Sequence, residues 1–379
     1  MSDVPHLRFP EFTEEWKRKR FKDVCNITTG NKNTQDKSDD GIYPFYVRSQ
    51  IVERINSWTF DGEAILTAGD GVGVGKVFHY STGKIGVHQR VYILSDFKCD
   101  GKYLYSYFAG NFYNRVKRMS AKNSVDSVRM EMIADMPISL PSNEEQKKIG
   151  HLLALLDERI ATQNKVIEKL ESLIKGLNNS LYYRYGDGIR TSFAGLGYSY
   201  SGLSGKSAMD FGKGKPFITY LNVYSNNVVN ENDYQYVQID EGEKQNVVQY
   251  GDVLFTLSSE TPEEVGIGSV YLGQDEVYLN SFCFGIHIVN EELAYSPYIS
   301  YYVSSTPFRK FIYPFAQGST RFNLCKADFE KASITLPSLD NQKRIHSVLN
   351  SVAMKISTER AMLEQYVTQK QYLLRQMFI

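Results

Sequence analysis

The chain has 379 residues, with 43 Lys and Arg against 43 Asp and Glu, so its formal net charge is +0. This length favours two or three domains over one, and contents of 42% hydrophobic and 23% charged residues are ordinary for a folded, soluble protein. The balanced charge argues against a protein that coats nucleic acid indiscriminately, but it leaves room for local basic faces.

The sequence also lacks the segments that would place the chain in a membrane or staple it with disulfides. No run of about 18 apolar residues occurs, so we expect no membrane span, and the first residues lack the apolar core of a signal peptide. The four cysteines lie far apart without a Cys-x-x-Cys pair, which argues against a disulfide scaffold and a zinc ribbon. We therefore expect a cytoplasmic protein with no membrane partner.

The first segment, residues 1–141, contains predicted short strands followed by an aromatic helix. Ala64–Thr67 and Val72–Phe78 are β-like runs, and Tyr103–Val116 has the pattern of a helix. The glycine-rich stretch Gly69–Lys76 fails both the P-loop and the GxGxxG spacing, so we interpret its glycines as turn residues between strands.

A repeat with an offset of 196 residues divides the chain into two halves. Ile138–Ser142 (ISLPS) returns as Ile334–Ser338 (ITLPS), and the Gln-Lys-x-Ile sequence that starts at Gln146 returns at Gln342. Ser142 and Ser338 are typical helix N-caps, and Glu145 stands at the capping-box position of the first copy. Each copy therefore predicts the start of a helix.

Both predicted helices carry a heptad stripe, with apolar residues at alternating steps of four and three. The stripe of the first helix consists of Ile149, Leu153, Leu156, Ile160, Gln163, Ile167, Leu170, Ile174, Leu177 and Leu181. The stripe of the second consists of Ile345, Leu349, Val352, Ile356, Glu359, Leu363, Tyr366, Lys370, Leu373 and Met377.

Such stripes would be wet on isolated helices, so we expect the two helices to pack antiparallel as a coiled coil, each roughly 50 Å long at about 1.5 Å per residue. Gln163 and Glu359 occupy equivalent stripe positions. They either lie inside the coiled-coil seam, where polar residues set the register, or point to its edge.

The segment between the helices, residues 185–337, mirrors the first. Val253–Thr256 and Val265–Tyr271 repeat the β-like runs, and Tyr298–Phe311 repeats the aromatic helix, although identity outside the long helices is weak. The architecture is duplicated while the surface has diverged, which is typical of two modules that do the same kind of job on different targets. We predict an α+β fold with a pseudo-two-fold internal repeat: a module at 1–141, a helix at 142–184, a module at 185–337 and a helix at 338–379.

The charge is distributed unevenly over these segments. The first module carries 20 basic and 17 acidic residues, whereas the second carries 10 and 17. Residues 231–292 alone hold 13 acidic residues and a single basic one, Lys244. We expect this acidic stretch to face solvent, or else a partner protein, and not DNA phosphate.

The sequence contains no recognisable catalytic or metal-site motif. No HExxH sequence occurs, no Gly-x-Ser-x-Gly has a credible histidine partner, and the six histidines are scattered. We therefore predict a chain without catalytic residues and without metal ligands. The alternative from the enzyme class is a two-domain hydrolase or transferase whose site has no recognisable motif.

The order module, helix, module, helix resembles the specificity subunit of Type I restriction–modification enzymes, over essentially the whole chain. The resemblance rests on Leu7–Phe12 (LRFPEF) followed by Trp16-Lys17, on the two Leu-Pro-Ser…Gln-Lys-x-Ile helices, and on Gly318–Arg321 (GSTR). The first copy departs at the last position, where it has Asn123-Ser124-Val125. The resemblance implies two tandem α/β target recognition domains and conserved spacer helices that dock the modification subunits.

The partners implied by the resemblance are double-stranded DNA, two methyltransferase subunits and restriction/translocase subunits. Each module would meet one half-site, about one helical turn apart, of a bipartite and asymmetric DNA target with an unread gap. The chain itself would hold no cofactor, whereas S-adenosylmethionine, ATP and Mg²⁺ would be bound by the partner subunits.

Individual DNA contacts are predicted from polar or basic residues beside strands and turns, because these residue types contact phosphates and base edges. The predicted contacts are Arg48, Gln50, His88, Gln89, Arg90, Lys122, Asn123, Arg129, Lys215, Tyr220, Asn222, Asn280, Ser319, Thr320, Arg321 and Asn323. A coiled-coil scaffold with two β-rich protein-binding modules stays an alternative, since Tyr, Arg and Asn serve protein interfaces as well.

Overall fold

A computed structural model of the protein describes residues 4–119, 127–185 and 188–378. The chain divides into two compact units: one holds the residues up to Lys165 together with those from Ala361 onward, and the other holds Val166–Arg360. The boundary passes through both long helices, so each unit contains one module and a segment of each helix.

The described part of the first module combines small sheets with three α-helices. Its strands are β1 (Lys17–Arg20), β2 (Asn26–Thr29), β3 (Tyr43–Tyr46), β4 (Glu53–Ile55), β5 (Phe60–Asp61), β6 (Ala64–Ala68), β7 (Phe78–Ser81), β8 (Lys84–Val87), β9 (Val91–Ser95) and β10 (Pro137–Leu140). Its helices are α1 (Phe21–Val24), α2 (Gly101–Met119) and α3 (Met130–Ala134), and the long helix α4 (Asn143–Tyr185) follows. The strand orders are β2-β9-β6-β7, β4-β3-β8-β5 and β1-β10; β3 and β8 run parallel.

The second module repeats these orders. Its strands are β11 (Ile189–Thr191), β12 (Gly197–Ser201), β13 (Phe211–Ile218), β14 (Tyr234–Val237), β15 (Val247–Val248), β16 (Val253–Thr256), β17 (Ser258–Ser259), β18 (Gly268–Val270), β19 (Val277–Leu279), β20 (Cys283–Ile288), β21 (Ala316–Gly318), β22 (Phe322–Leu324) and β23 (Ile334–Leu336). Its helices are α5 (Phe193–Leu196), α6 (Tyr220–Ser225), α7 (Ser296–Tyr302), α8 (Thr306–Ile312) and α9 (Lys326–Lys331), before the long helix α10 (Leu339–Gln376).

The orders β12-β20-β16-β18, β14-β13-β19-β15 and β11-β23 match those of the first module strand for strand, and β13 and β19 are again parallel. The second module also contains a small sheet, β17-β22-β21. The predicted α+β fold and internal repeat are therefore confirmed. No helix in the described ranges is both long and apolar enough to cross a membrane.

Each module buries its aromatic residues against a long helix. In the first unit, Phe108 and Phe112 of α2 stack with ring centroids 4.5 Å apart, in one core with Ile149 and Leu153 of α4. In the second unit, Phe329 packs in a core with the start of α10. Burial of such side chains contributes about 1.5–3 kcal/mol each, so the helix starts belong to the module cores.

Three predicted elements differ in detail. Residues 72–76 of the predicted strand Val72–Phe78 form a turn, and the strand begins at Phe78. The predicted strand Val265–Tyr271 is shortened to β18 (Gly268–Val270). The predicted helix Tyr298–Phe311 is broken into α7 and α8, because the Ser305 hydroxyl accepts from the Phe308 N–H at 3.3 Å and caps a new helix there.

The heptad stripes of α4 and α10 are buried or half-buried along their length. Gln163 and Glu359 are both buried, so they lie inside the seam and not at its edge. In the first unit, Asp157 forms an ion pair with Lys370, and the Arg159 guanidinium lies 4.9 Å from the Tyr366 ring centre. Numbers rise along one helix as they fall along the other, so the segments are antiparallel.

The second unit shows the same direction. Arg360 Nη2 lies 2.5 Å from Glu171 Oε1, whereas Leu177 farther along α4 packs in the core that holds Ile345 and Leu349 of α10. The predicted antiparallel packing is confirmed within each unit.

A buried glutamine fastens each long helix to its module. The Gln146 side chain accepts from the Asp100 backbone N–H at 3.0 Å and donates to the Pro141 carbonyl at 2.9 Å. It thereby joins a loop of the first module to the residues that precede α4, while Ser142 caps the helix through the Glu145 N–H at 3.4 Å.

Gln342 does the same at the start of α10. It accepts from the Tyr295 N–H at 2.8 Å and donates to the carbonyls of Leu293 and Pro337 at 2.8 and 2.9 Å. The repeated Gln-Lys-x-Ile sequence is thus explained by one buried amide and one buried isoleucine per copy.

Glu145 does not close a capping box with its side chain. Both carboxylate oxygens of this fully buried residue accept from Arg8, at 2.8 Å each. The bond to Glu145 raises the pKa of Arg8. A bidentate pair of this kind is among the stronger polar contacts in proteins, so it ties the N-terminal segment to the start of α4.

We predict that Gln342→Met lowers the free energy of unfolding by about 1–3 kcal/mol, because the Tyr295 N–H and the two carbonyls lose their buried partner. Gln146→Met should have a similar effect. Urea denaturation measures both, with Lys343→Ala as a control at the exposed neighbouring position. An equal loss in the control would contradict the role of the glutamine.

Candidate nucleic-acid interface

In each module the parallel strand pair ends in the same backbone arrangement. The His88 N–H, just after β8, donates to the Tyr46 carbonyl at the end of β3, at 3.0 Å. The Asn280 N–H, just after β19, donates to the Ile218 carbonyl at the end of β13, also at 3.0 Å. Position 88 of the first module therefore corresponds to position 280 of the second.

A side-chain acceptor then shapes the following turn. Nδ1 of His88 accepts from the Arg90 backbone N–H at 3.0 Å, and Oδ1 of Asn280 accepts from the Phe282 N–H at 2.9 Å. The two side chains differ, but each offers an acceptor at the same place. Arg90 and Phe282 are thereby held at equivalent positions.

The turn that follows β6 or β16 is hydrogen-bonded to the backbone of position 90 or 282. The Gly69 N–H donates to the Arg90 carbonyl at 2.8 Å, and the Leu257 N–H donates to the Phe282 carbonyl at 2.9 Å. The carbonyls of Gly69 and Leu257 in turn accept from a third segment, through the N–H groups of Val128 and Leu324, at 2.8 Å each.

These bonds define one surface site per module, which we call the strand-end site. Three positions form it. The first is the second residue after strand β3 or β13, the second is the second residue after position 88 or 280, and the third is the residue that follows Gly69 or Leu257. The strand-end site consists of Arg48, Asp70 and Arg90 in the first module and of Tyr220, Ser258 and Phe282 in the second.

The first strand-end site is an exposed pair of cations on a shared carboxylate. Arg48 Nη1 lies 2.8 Å from Asp70 Oδ1, and Arg90 Nη1 lies 3.1 Å from Asp70 Oδ2. The arginine side chains are 46% and 63% exposed. A guanidinium carries five N–H donors, so one bond to Asp70 does not exhaust either arginine.

His88 lies beneath this site as a neutral acceptor. Burial lowers its pKa, and the nearby Arg48 and Arg90 cations lower it further, while Asp70 acts in the opposite direction. A neutral imidazole with Nδ1 unprotonated is required by the bond from the Arg90 N–H.

The second strand-end site is aromatic. The Tyr220 hydroxyl donates to the Ser258 carbonyl at 2.8 Å, and its ring stacks on Tyr224 with centroids 6.0 Å apart. Phe282 is 53% exposed, and the Arg321 guanidinium lies 5.7 Å from its ring centre. These side chains open onto a cleft of about 520 Å³, which is lined by Tyr220, Leu221, Tyr224, Ser258, Ser259, Glu260, Glu264, Phe282, Thr320 and Arg321.

The Gly-Ser-Thr-Arg sequence forms the turn between β21 and β22 at the edge of this cleft. Gly318 has a φ of +143°, and a Cβ there would lie 2.1 Å from the Arg321 carbonyl oxygen. Glycine is therefore needed for the turn that places Thr320 and Arg321 in the cleft wall.

The family described as "Type I restriction modification DNA specificity domain" matches two stretches of the chain, residues 13–172 and 206–367. The chain belongs to this family. Each matched stretch takes in most of one module and most of the long helix that follows it, so the two specificity domains coincide with the structural repeat.

Curated relatives match over part of their length. The Type I restriction enzyme EcoDI specificity subunit of Escherichia coli is 28% identical over 161 residues, which cover 42% of this chain and 35% of that protein. The MjaVIII specificity subunit of Methanocaldococcus jannaschii is 28% identical over 190 residues, which cover 46% of this chain and 43% of that protein. The matched region thus spans less than half the length of either relative.

Solved structures share the fold over the full chain. The S subunit of a Type I restriction–modification system from M. genitalium has a TM-score of 0.64 at 14% identity and covers 99% of both chains. A chain of a type I R-M system has a TM-score of 0.56 at 13% identity, covering 96% of this chain and 97% of that one. At these identities the likeness concerns the fold.

Within a specificity-domain fold, several predicted DNA contacts come together. In the first domain, Arg48 and Arg90 meet on Asp70, and the exposed Gln89 next to them donates to Asn33 at 2.6 Å. Exposed Arg129 lies two residues beyond Ser127, whose backbone bridges to that of Asp70.

In the second domain, Tyr220, Thr320 and Arg321 line the cleft. The exposed Asn323 is paired with Ser258 between β22 and β17, and exposed Ser319 belongs to the same turn. These residues stay predicted DNA contacts. Lys122 and Asn123 lie outside the described residues.

Two predicted contacts are wrong because the structure buries them. Asn222 is fully buried, and its amide donates to the carbonyls of Asn230 and Asp233 at 2.9 and 3.2 Å, so it braces a loop. His88 is buried below Arg90 and serves as the acceptor described above.

Three more predicted contacts, Asn280, Lys215 and Gln50, lie outside the two strand-end sites. Asn280 is half-buried and holds the Phe282 N–H. Lys215 lies earlier on β13, with its ammonium 3.3 Å from Glu276, and Gln50 lines a separate depression of about 310 Å³.

The sequence reasoning missed Asp70, Phe282, Leu221 and Tyr224. The signal for Phe282 was its place two residues after Asn280, equivalent to that of Arg90 after His88, which becomes visible only with the strand register known.

We predict that the pKa of His88 lies below its ordinary value of 6.5. Arg48→Gln should raise this pKa by removing a nearby cation, and Asp70→Asn should lower it by removing an anion. NMR titration of the imidazole C–H signals measures all three. The unfolded state, with an ordinary histidine pKa, binds the proton at a higher pH than the folded state does. The free energy of unfolding therefore decreases as the pH falls from about 6.5 to the folded-state pKa of His88. Shifts of the same sign in both variants would contradict the assignment.

Proposed function

We propose that the chain is the DNA sequence-specificity subunit of a Type I restriction–modification complex, in which each domain reads one half of a bipartite, asymmetric DNA target. The observation that carries the proposal is the pair of strand-end sites. They occupy equivalent positions in two specificity domains and yet present different side chains. Two domains with one scaffold and two surfaces suit a target whose halves differ in sequence.

The side chains at these sites have the chemistry for groove contacts. Exposed arginines donate to base edges and phosphates, whereas exposed aromatic and apolar side chains contact base faces and thymine methyl groups. The aromatic cleft with Arg321 at its wall combines both kinds of contact.

The long helices supply the spacing in this proposal. An α4 of 43 residues corresponds to roughly 65 Å at about 1.5 Å per residue, and in this proposal the length of the helices sets the gap between half-sites. The near-equivalent helix faces would dock two methyltransferase subunits, with restriction/translocase subunits joining the complex.

Catalysis belongs to the partners in this proposal. S-adenosylmethionine, ATP and Mg²⁺ would be bound by the methyltransferase and restriction/translocase subunits, and this chain would act as a non-catalytic selector. The rival proposal of a protein-binding scaffold is separated from it by DNA sequence selection, which a scaffold does not have.

We predict that the chain, co-expressed with its methyltransferase subunit, directs methylation to one bipartite motif. Replacement of residues 1–141 by the same segment of another family member should change one half of the motif and preserve the other. Single-molecule sequencing of genomic DNA measures the motif. Methylation without a bipartite motif, or a motif that survives the exchange, would contradict the function.

We predict that deletion of residues 162–168 together with 359–365, one heptad from each helix, shortens the gap of the motif by about three base pairs. The deletion removes about 10 Å of helix and keeps the heptad phase, and a base pair rises about 3.4 Å. Insertion of one heptad at the same points is the matched control and should lengthen the gap equally. An unchanged gap in complexes that still assemble would show that the helices do not set it.

A further inference from the structure

The two strand-end sites differ in the chemistry that they can recognise. The backbone bonds that build them are the same in both modules, within 0.1 Å for the bonds of positions 88 and 280. The exchange of Arg48 and Arg90 for Tyr220 and Phe282 is therefore a change of recognition surface on a constant frame.

The first site suits a guanine. Arginine is the side chain that donates to both O6 and N7 of guanine in the major groove, and two exposed guanidinium groups stand here side by side. The Asp70 carboxylate accepts from Nη1 of Arg48 at 2.8 Å and from Nη1 of Arg90 at 3.1 Å. These two bonds restrict the conformations of both long side chains. Asp70 thereby reduces the side-chain entropy that an arginine loses on binding.

The second site suits a thymine. Phe282 and Leu221 are 53% and 67% exposed, and they line the same cleft as Tyr220. Exposed apolar side chains grouped in this way gain free energy by covering the C5-methyl group of thymine, which no other DNA base carries. The hydroxyl of Tyr220 is held by the Ser258 carbonyl, so its ring is fixed.

We propose that the first domain reads a guanine through Arg48 and Arg90, positioned by Asp70, and that the second domain reads a thymine methyl group through Tyr220 and Phe282. This inference rests on the proposed function. It assigns a G·C pair to one half-site and an A·T pair to the other, at equivalent places.

The first test changes the DNA and leaves the protein intact. The full chain in complex with its methyltransferase subunit is bound to duplexes that carry its mapped motif. Replacement of the guanine by 7-deazaguanine in the half-site of the first domain, or of the thymine by uracil in the other, should each weaken binding about tenfold. The same replacements in the unread gap are the controls.

The second test changes the protein. Arg90→Ala and Arg48→Ala should relax the guanine preference at one position of the first half-site, and Asp70→Asn should weaken that preference without abolishing it. Lys19→Ala removes an exposed cation from β1 and should leave the motif unchanged. Phe282→Arg with Tyr220→Arg should transfer a guanine preference to the second half-site. Selection from randomised duplexes reads out each preference.

The possible results distinguish a failure of this inference from a failure of the proposed function. A wild-type complex that selects no bipartite motif overturns the proposed function. A bipartite motif without guanine in the first half or without thymine in the second overturns the inference alone. Arginine variants that weaken binding to all sequences alike also overturn it, because they would show phosphate contacts instead of base contacts.

Discussion

The buried glutamine at the start of each long helix is the contact on which the rest of each unit depends. Gln146 and Gln342 join a module loop to the proline that precedes the helix, through an acceptor and a donor on one amide. A shift of the module against the helix start would leave these groups buried and unpaired, at a cost of about 1–3 kcal/mol each. The direction in which a module presents its surface is thus set where the helix begins, and the sequence repeats most faithfully there.

The proposed recognition surface, in contrast, allows its side chains to be exchanged. At positions 88 and 280 the fold requires an acceptor for a backbone N–H, and a histidine ring nitrogen or an asparagine oxygen meets that requirement equally well. Two residues farther along, at positions 90 and 282, the side chain is exposed to solvent, so packing does not determine which residue stands there. A pair of domains can therefore keep every backbone bond of the site while exchanging arginine for phenylalanine.

The sequence predicted whatever is periodic or local. Heptad spacing predicted the buried stripes, and the Pro-Ser steps predicted the helix caps, because these patterns depend on near neighbours. Burial of Asn222 could not be predicted, since it follows from a loop that closes around its amide. Arg48, Arg90 and Tyr220 were predicted as contacts, but the equivalence of the two strand-end sites was not. Arg90 and Phe282 are 192 residues apart and Arg48 and Tyr220 are 172, whereas the helix starts repeat at 196. Loops of different length between the modules' strands hide the equivalence from any single alignment offset.

The zero net charge is compatible with the proposed difference between the two sites. Ten of the 13 acidic residues of 231–292 are exposed, whereas Asp252 is fully buried against His287 at 2.7 Å and the half-buried Glu264 accepts from the Tyr224 hydroxyl at 2.7 Å. Most of this acidic stretch therefore faces solvent, as expected. A domain that recognises DNA through aromatic contacts gains affinity from apolar burial, which salt screens little, and so needs fewer cations than its arginine-bearing counterpart. Under the proposed function, overall neutrality is compatible with DNA selection because the second site relies mainly on aromatic and apolar side chains.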